Sequence, residues 1–580
     1  MQDPNQVLAE RFERALVAVF GPELAGTDPS LRPSDFADAQ ANVALAIQKR
    51  VGKKPRDIAT ALVEKLDLEG VCEKVEIAGP GFLNLTFRAD FLSAKIEEAA
   101  KSDRLGVDLA TPQEVVVIDY SAPNIAKEMH VGHLRSTIIG DALARTLELC
   151  GHKVIRQNHL GDWGTPFGML IEHLVDSGAK ADALDVSDLS AFYKTARAKF
   201  DASPEFAERS RQRVVSLQAG DAATLDLWKV LVDASQRYFG RVYSKLGVTL
   251  TDADAAGESL YNDMLPGIAH DLEHRGLARV DDGALCFYID GFKNKEGAPL
   301  PLVVRKKDGG YGYATTDLAA VKYRTGKLGA TRLIYVVGSP QAQHLSMVYK
   351  GAALAGWLAP PARAEHTGFG SVLGEDGKML RTRAGDSVRL IDLLDEADTR
   401  ALELVRAKAE ERGEPIDEAE LRAIAHAVGI AAIKYADLSS DRIKDYVFSW
   451  ERMLATNGNT GPYLQYAHAR CRSILRNAGH DSAAPVLGSV AIALKEERAL
   501  ALGLLGFGYV VRDVAATLEP HRLCTYLYDL SSRFSDFWSK CPVLKAEEPL
   551  RTSRLALTSL TARTLETGLG LLGIEAPPRM

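Results

Sequence analysis

The chain of 580 residues lacks paired cysteines, long apolar runs and a dominant charge. Its six cysteines (72, 150, 286, 471, 524 and 541) are scattered without a CxxC pair, which argues against a disulfide framework and a structural zinc site. The longest strongly apolar uncharged run, Ala499 to Val511, has 13 residues between Arg498 and Arg512, too few to span a bilayer. Met1-Gln2-Asp3-Pro4 is acidic early and carries no apolar signal segment. There is no internal repeat and no low-complexity tract. The expectation is a soluble cytoplasmic protein with no membrane partner.

What is present is ordinary globular composition, with 46% apolar and 25% charged residues, and a length that suits about three domains or more. The net charge of −7 is uneven: residues 451–580 hold 15 Lys+Arg and 12 Asp+Glu, so the excess acid lies before them. A polyanion would therefore meet this chain only through local basic faces.

The first ~110 residues read as a small α+β module. Apolar positions recur at helical spacing in Val7, Leu8, Phe12, Leu16 and Val19, again from Ala41 to Val51, and from Ile58 to Leu66. Strand-like alternation follows in Val75-Glu76-Ile77 and from Phe82 to Phe87. The module ends near Thr111-Pro112. Val115-Val116-Val117-Ile118 then reads as a buried parallel strand. A break at Ser121-Ala122-Pro123-Asn124 leads to a helix from about Val131 to Cys150, and Lys153-Val154-Ile155 starts the next strand. That is a βαβ unit of an open α/β sheet. A later strand, Leu333 to Val337, precedes a helical stretch to Trp357, and insertions are expected near 165–232 and 260–310. Beyond Gly385 the pattern predicts helices over 387–412, 417–449, 462–478, 490–518, 520–540 and 551–572, an all-α bundle. The division is thus 1–112, 113–385 and 386–580.

The chemistry-bearing segment joins the first α/β strand to its helix: Asp119-Tyr120-Ser121-Ala122-Pro123-Asn124-Ile125-Ala126-Lys127-Glu128-Met129-His130-Val131-Gly132-His133-Leu134. In such sheets ligands bind beyond the carboxyl ends of the strands, where a helix N-terminus offers N–H groups to phosphate. Two imidazole donors there suit a triphosphate or a pentacoordinate phosphorus transition state, and Gly132 leaves room for a flat base. An HxGH tetrapeptide also arises by chance; its place at a strand-to-helix turn is what makes it informative. Elsewhere, Asp317 follows Tyr313 by four residues, so a helical turn would put both on one face. Taken alone, such an Asp reads as a cap or turn and such a Tyr as half-buried core.

Ser121 to Lys127, His130-Val131-Gly132-His133-Leu134-Arg135-Ser136-Thr137 and Asn158-His159-Leu160-Gly161-Asp162-Trp163-Gly164-Thr165 together resemble the HIGH-motif region of class I arginyl-tRNA synthetases. Gly79-Pro80-Gly81-Phe82-Leu83-Asn84 is similar to the end of that family's N-terminal tRNA-binding domain, and Gly461 to Arg470 to a helix of its anticodon-binding domain. The resemblance implies a Rossmann-type catalytic core with a parallel sheet, an N-terminal α+β module and a C-terminal helical bundle. It implies that Lys127, His130, Gly132 and His133 meet ATP, and that Asp119, Tyr313 and Asp317 hold the substrate guanidinium. It likewise assigns Asn124 and Gln341 to the amino-acid backbone, with Ser121 and His159 in the same site. For tRNA it implies Gln40, Asn42, Tyr463, Tyr466, Arg470 and Met580. The family's Lys-Met-Ser-Lys-Ser loop aligns with Lys378-Met379-Leu380-Arg381-Thr382, where Leu and Arg replace the first Ser and second Lys. Lys378 and Arg381 are then catalytic contributors, and Lys127 is expected to compensate for the altered loop.

The implied activity is ATP-dependent activation of L-arginine and its transfer to the 3′-terminal adenosine of tRNA(Arg). The enzyme would be a monomer without permanent cofactor, its Mg2+ resting on ATP and not in a protein cage. Two other readings remain: a small-molecule ligase using the same adenylation chemistry, and a non-catalytic tRNA-binding paralogue.

Overall fold

In the computed structural model, residues 3–580 are described apart from 33, 35, 179–188, 382–386, 414–415 and 481–483. The first module packs helices α1 (Pro4–Phe20), α2 (Val43–Val51) and α3 (Pro55–Lys65) on an antiparallel sheet, followed by α4 (Ala89–Lys101). Its strands β1 (Leu31–Arg32), β2 (Ala39–Ala41), β3 (Cys72–Ala78) and β4 (Phe82–Phe87) run in the order β1-β2-β4-β3. Leu8, Phe12, Ile47, Ile58, Leu62, Leu83 and Leu85 are its buried core, the positions that the two periodicities pick out.

The α/β core is a four-stranded parallel sheet. Helix α5 (Val131–Leu149) connects β5 (Val115–Asp119) to β6 (Lys153–Gln157), and these neighbour β10 (Arg332–Tyr335) and β11 (Arg363–His366) in the order β11-β10-β5-β6. Register pairs Tyr335 with Asp119 and Asp119 with Gln157, so three strand-terminal side chains lie abreast at the carboxyl edge. The first insertion is helical and longer than expected, continuing to residue 246 through α6 (Thr165–Ser177), α7 (Leu189–Ala202), α8 (Pro204–Gln218) and α9 (Ala222–Leu246). The second combines α10 (Leu265–His274) with an antiparallel sheet of β7 (Ala278–Asp281), β8 (Ala284–Lys293) and β9 (Pro299–Arg305). Helices α11 (Tyr313–Gly326) and α12 (Ala342–Leu354) flank β10.

The helical region departs from the expected pattern twice. Helix α13 (Leu390–Arg412) is followed by α14 (Glu418–Leu438), which ends eleven residues before the expected 449. Ser440 turns its hydroxyl back onto the Ala436 carbonyl, and Asp441 accepts from the Ile443 N–H, so side chains take the helix's backbone partners. The freed segment forms β13 (Tyr446–Val447), paired with β12 (Val372–Leu373), and a short α15 (Trp450–Met453). After α16 (Gly461–Asn477), the expected single helix 490–518 is two, α17 (Lys495–Leu505) and α18 (Phe507–Thr517). They turn at Gly506, and Gly508 packs so tightly that a Cβ there would meet the Gly106 carbonyl at 2.3 Å. The 23-residue apolar stretch Lys495–Thr517 is thus broken into two short helices, and half of its most apolar window is buried within the fold. Helices α19 (His521–Lys540) and α20 (Leu550–Leu571) complete the bundle.

The bundle is bolted to α5 by buried charge. Arg135 of α5 pairs with Asp437 of α14 at 3.1 Å, both side chains essentially inaccessible, and donates to the Lys444 carbonyl. Lys434 donates to the Gly573 carbonyl at 2.6 Å; burial depresses its ammonium to about 8.

Candidate active site

The turn after β5 is strained and strapped. Ser121 and Ala122 adopt left-handed φ values of 74° and 47°, and Ala126 one of 58°. Left-handed non-glycine residues persist only where their surroundings over-determine them, and they gather at functional sites. Here the surroundings are specific. The Ser121 N–H donates to Ser136 Oγ at 2.9 Å, and its hydroxyl meets Tyr243 and Thr137. Asn158 Oδ1 accepts from the Ala122 N–H, and Ser235 Oγ from the Ala126 N–H.

His130 caps α5. Its Nδ1 accepts the Gly132 N–H at 3.1 Å, while His133 Nδ1 accepts the His130 N–H at 3.1 Å. Burial and nearby Lys127 push the His130 imidazole below its ordinary value. Burial, then His130, takes His133 to about 4. Both rings are neutral at pH 7, and with each Nδ1 accepting, each Nε2 carries the proton. The helix mouth therefore presents two N–H donors without fixed charge. Gly132 is needed by this cap itself, since a Cβ there would lie 2.7 Å from His130 Cε1. Lys127 is exposed, with its ammonium 4.8 Å from the centre of the Tyr193 ring of α7.

The carboxylates expected to take a guanidinium are differently placed. Asp317 is half-buried and accepts from His344 Nε2 at 2.6 Å; Tyr313, exposed at the start of α11, sets its ring edge-on to His344. Gln341 is exposed in the turn just before α12. Asp119 is no open carboxylate: its Oδ2 receives Arg324 Nη2 at 2.7 Å, while Oδ1 is buried with no partner. Asn124 lies against Gly161, whose Cβ would meet Asn124 Oδ1 at 2.3 Å, and His159 Nδ1 is buried without a partner. Sequence reasoning passed over Glu258. Burial first, then Asp162 and Asp317, raise its carboxyl to about 7. His344 was missed too, although it lies only three residues beyond Gln341.

The second signature is an exposed hairpin limb. Lys378 and Arg381 are exposed, Met379 bridges to Leu373 and Arg381 to Ser387. Thr382 and the following Arg383 to Gly385 lie outside the described residues. Beyond them, the Val131 N–H donates to Val388 and the Leu390 N–H to Met129, which stitches the return strand to the His130 turn. Among the described residues, no group of three or more His, Cys, Asp or Glu could hold a metal ion.

The tRNA candidates lie apart from this centre. Gln40 donates to Asn84 at 2.8 Å, and half-buried Asn42 keeps a partnerless buried Oδ1. Tyr463 faces Tyr528 of α19; Tyr466 and Trp538 sandwich the Arg470 guanidinium at 4.8 and 4.6 Å. Tyr466 and Met580 line a cavity of about 360 Å3 with Leu404, Lys408 and Thr456.

A parallel sheet with a histidine-capped helix after its first strand is the catalytic architecture of class I tRNA synthetases, and residues 95–450 match the family profile described as tRNA synthetases class I (R), catalytic domain. Residues 6–87 match the arginyl tRNA synthetase N terminal domain, and 464–580 the DALR anticodon binding domain. Over the full length of both chains, the sequence is 58% identical to the arginine–tRNA ligase of Thermobifida fusca and 52% to that of Synechococcus elongatus. Its structure superposes along both whole chains on the arginyl-tRNA synthetases of Plasmodium falciparum (TM-score 0.85, 28% identity) and Thermus thermophilus (TM-score 0.81, 27% identity). The chain belongs to the arginyl-tRNA synthetase family.

Proposed function

We propose that this chain activates L-arginine with ATP and transfers it to the 3′-terminal adenosine of tRNA(Arg). The observation that carries the reading is the joining of two chemistries at one sheet edge: neutral imidazole donors at a helix mouth, and a carboxylate set on α11 and β5. In the first step an oxygen of the arginine carboxylate attacks the α-phosphorus. A new P–O bond forms, the bond to the bridging oxygen breaks, and pyrophosphate leaves. In the second step the terminal 2′-hydroxyl attacks the adenylate's carbonyl carbon, losing its proton as AMP departs. His130 and His133 donate to phosphate oxygens, and Lys127 supplies point charge as negative charge grows. Lys378 and Arg381 share that task from the loop. Asp317, Tyr313 and Asp119 orient the guanidinium, Asn124 and Gln341 the α-amino and carboxylate groups, and Ser121 and His159 line the same site. Mg2+ rides on the triphosphate.

On this reading 1–112, through Gln40 and Asn42, and the helical domain after 385, through Tyr463, Tyr466, Arg470 and Met580, grip the tRNA of a cytoplasmic monomer. Aromatics interleaved with Arg suit stacking on unpaired bases. ATP–pyrophosphate exchange with each amino acid, with and without tRNA, tests the proposal. Arginine alone should support exchange, and tRNA should then be charged. Exchange driven by a different acid would favour the small-molecule ligase, and no exchange under any condition the non-catalytic paralogue.

A further inference from the structure

We infer that Arg324 is a positioning residue for the amino-acid substrate: its guanidinium clasps three strand ends and so holds Asp119 and helix α11 at the spacing the pocket requires. The inference rests on the reading of Asp119, Tyr313 and Asp317 as the guanidinium pocket. Arg324 is fully buried. Its Nη2 donates to Asp119 Oδ2 at 2.7 Å, its Nε to Gln157 Oε1 at 2.6 Å, and its plane lies 5.0 Å from the centre of the Tyr335 ring. Those three partners end β5, β6 and β10 and are abreast in the sheet register. On α11, Arg324 follows Tyr313 and Asp317 by whole numbers of turns, so all three project from one stripe. One side chain thus ties the helix that carries Asp317 to the strand that carries Asp119.

A role in stability alone does not call for such a group. Buried ion pairs are often replaced by well-packed apolar residues without loss of stability, so this one carries weight through geometry. Three partners in different directions fit a rigid planar fork and not a single ammonium. The clasp also occupies only one oxygen of Asp119. Oδ1 stays buried without a partner, as does the nearby Tyr349 hydroxyl. The Arg324–Asp119 pair is neutral overall, so Asp119 offers a directed acceptor while Asp317 meets the positive charge of the substrate.

The test compares Arg324→Met, Arg324→Lys and Gln157→Leu with the parent enzyme in pyrophosphate exchange, alongside arginine Kd by calorimetry and melting curves. Arg324→Met should raise arginine KM and Kd by about 30-fold or more while ATP KM stays within about twofold, the pattern of lost substrate orientation. Arg324→Lys should recover part of that loss, and Gln157→Leu, which cuts one leg of the clasp, should raise KM by roughly 3- to 10-fold. If Arg324→Met does not fold, the other two decide. Arginine KM within twofold of the parent in both folded variants would overturn the inference, as would ATP KM rising in step. Asp317→Asn is the control arm. An unchanged arginine KM there would reject the pocket itself, whereas a raised one beside silent Arg324 variants would reject only the clasp.

Discussion

Between Asp119 and Thr137 nearly every turn of the chain is tied down, whereas Lys378 to Arg381 runs as an exposed hairpin limb. The first segment has strained backbone at Ser121, Ala122 and Ala126, buried hydroxyl and amide straps, and a histidine cap that sets the tautomer of both rings. The second has bridges to Leu373 and Ser387, with Leu380 half-buried against the core and the Lys378 and Arg381 side chains at the surface. Preorganised donors stabilise developing charge because they need no reorganisation when the reaction occurs. On the proposed function, the main electrostatic work on the phosphates would fall to the strapped turn and a shared, secondary part to the loop.

The largest effect should come from the turn's own cation. Lys127→Ala should lower kcat for arginine activation by about 10²–10³, roughly 3–4 kcal/mol, with arginine KM nearly intact. Steady-state exchange at saturating arginine measures it. The carboxylate side should respond in the opposite parameter. Asp317 is only half-buried, so Asp317→Asn should weaken arginine by about 2 kcal/mol, the low end for a desolvated charge partner, and leave ATP KM alone. Titrating the two substrates separately checks this.

A smaller change should follow from loosening the turn. Ser121→Ala removes the hydroxyl between Tyr243 and Thr137 and should destabilise the protein by about 1–2 kcal/mol, read by denaturant unfolding. The mildest effect concerns pH. Glu258, raised to about 7 chiefly by burial, binds its proton below that value and is a carboxylate above it. The carboxylate form attracts a guanidinium, so arginine affinity should rise as pH climbs from 6 to 8 and then level off, with protons released on binding near pH 7. Glu258→Gln should flatten that curve; an unchanged curve would remove Glu258 from the pocket.

These assignments divide along the line between local and distant information. The βαβ unit, the placing of His130 and His133 at the helix mouth and the Tyr313–Asp317 stripe were legible because each depends on spacings of a few residues, whereas the capping bonds of the two imidazoles and their need for Gly132 were not. The Arg324–Asp119 pair joins positions 205 apart, and the Lys127–Tyr193 contact depends on how an inserted helix folds back. Neither leaves a trace in periodicity. Glu258 stands at the start of a 3-10 turn and looks like any surface acid until Asp162 and Asp317 close around it. The helices expected over 417–449 and 490–518 were too long for a related reason. Ser439-Ser440-Asp441 is a polar break where side chains take over the backbone bonds, while apolar spacing does continue through Gly506, where close packing ends the helix.

Single-turnover formation of arginyl-adenylate in Lys127→Ala and Arg381→Ala, measured side by side at saturating ATP and arginine, tests the central contrast most directly. The account predicts that Lys127→Ala is slower than the parent by about 10²–10³ and that Arg381→Ala falls well short of that loss. A larger loss in Arg381→Ala would make the exposed loop the principal clamp and contradict it.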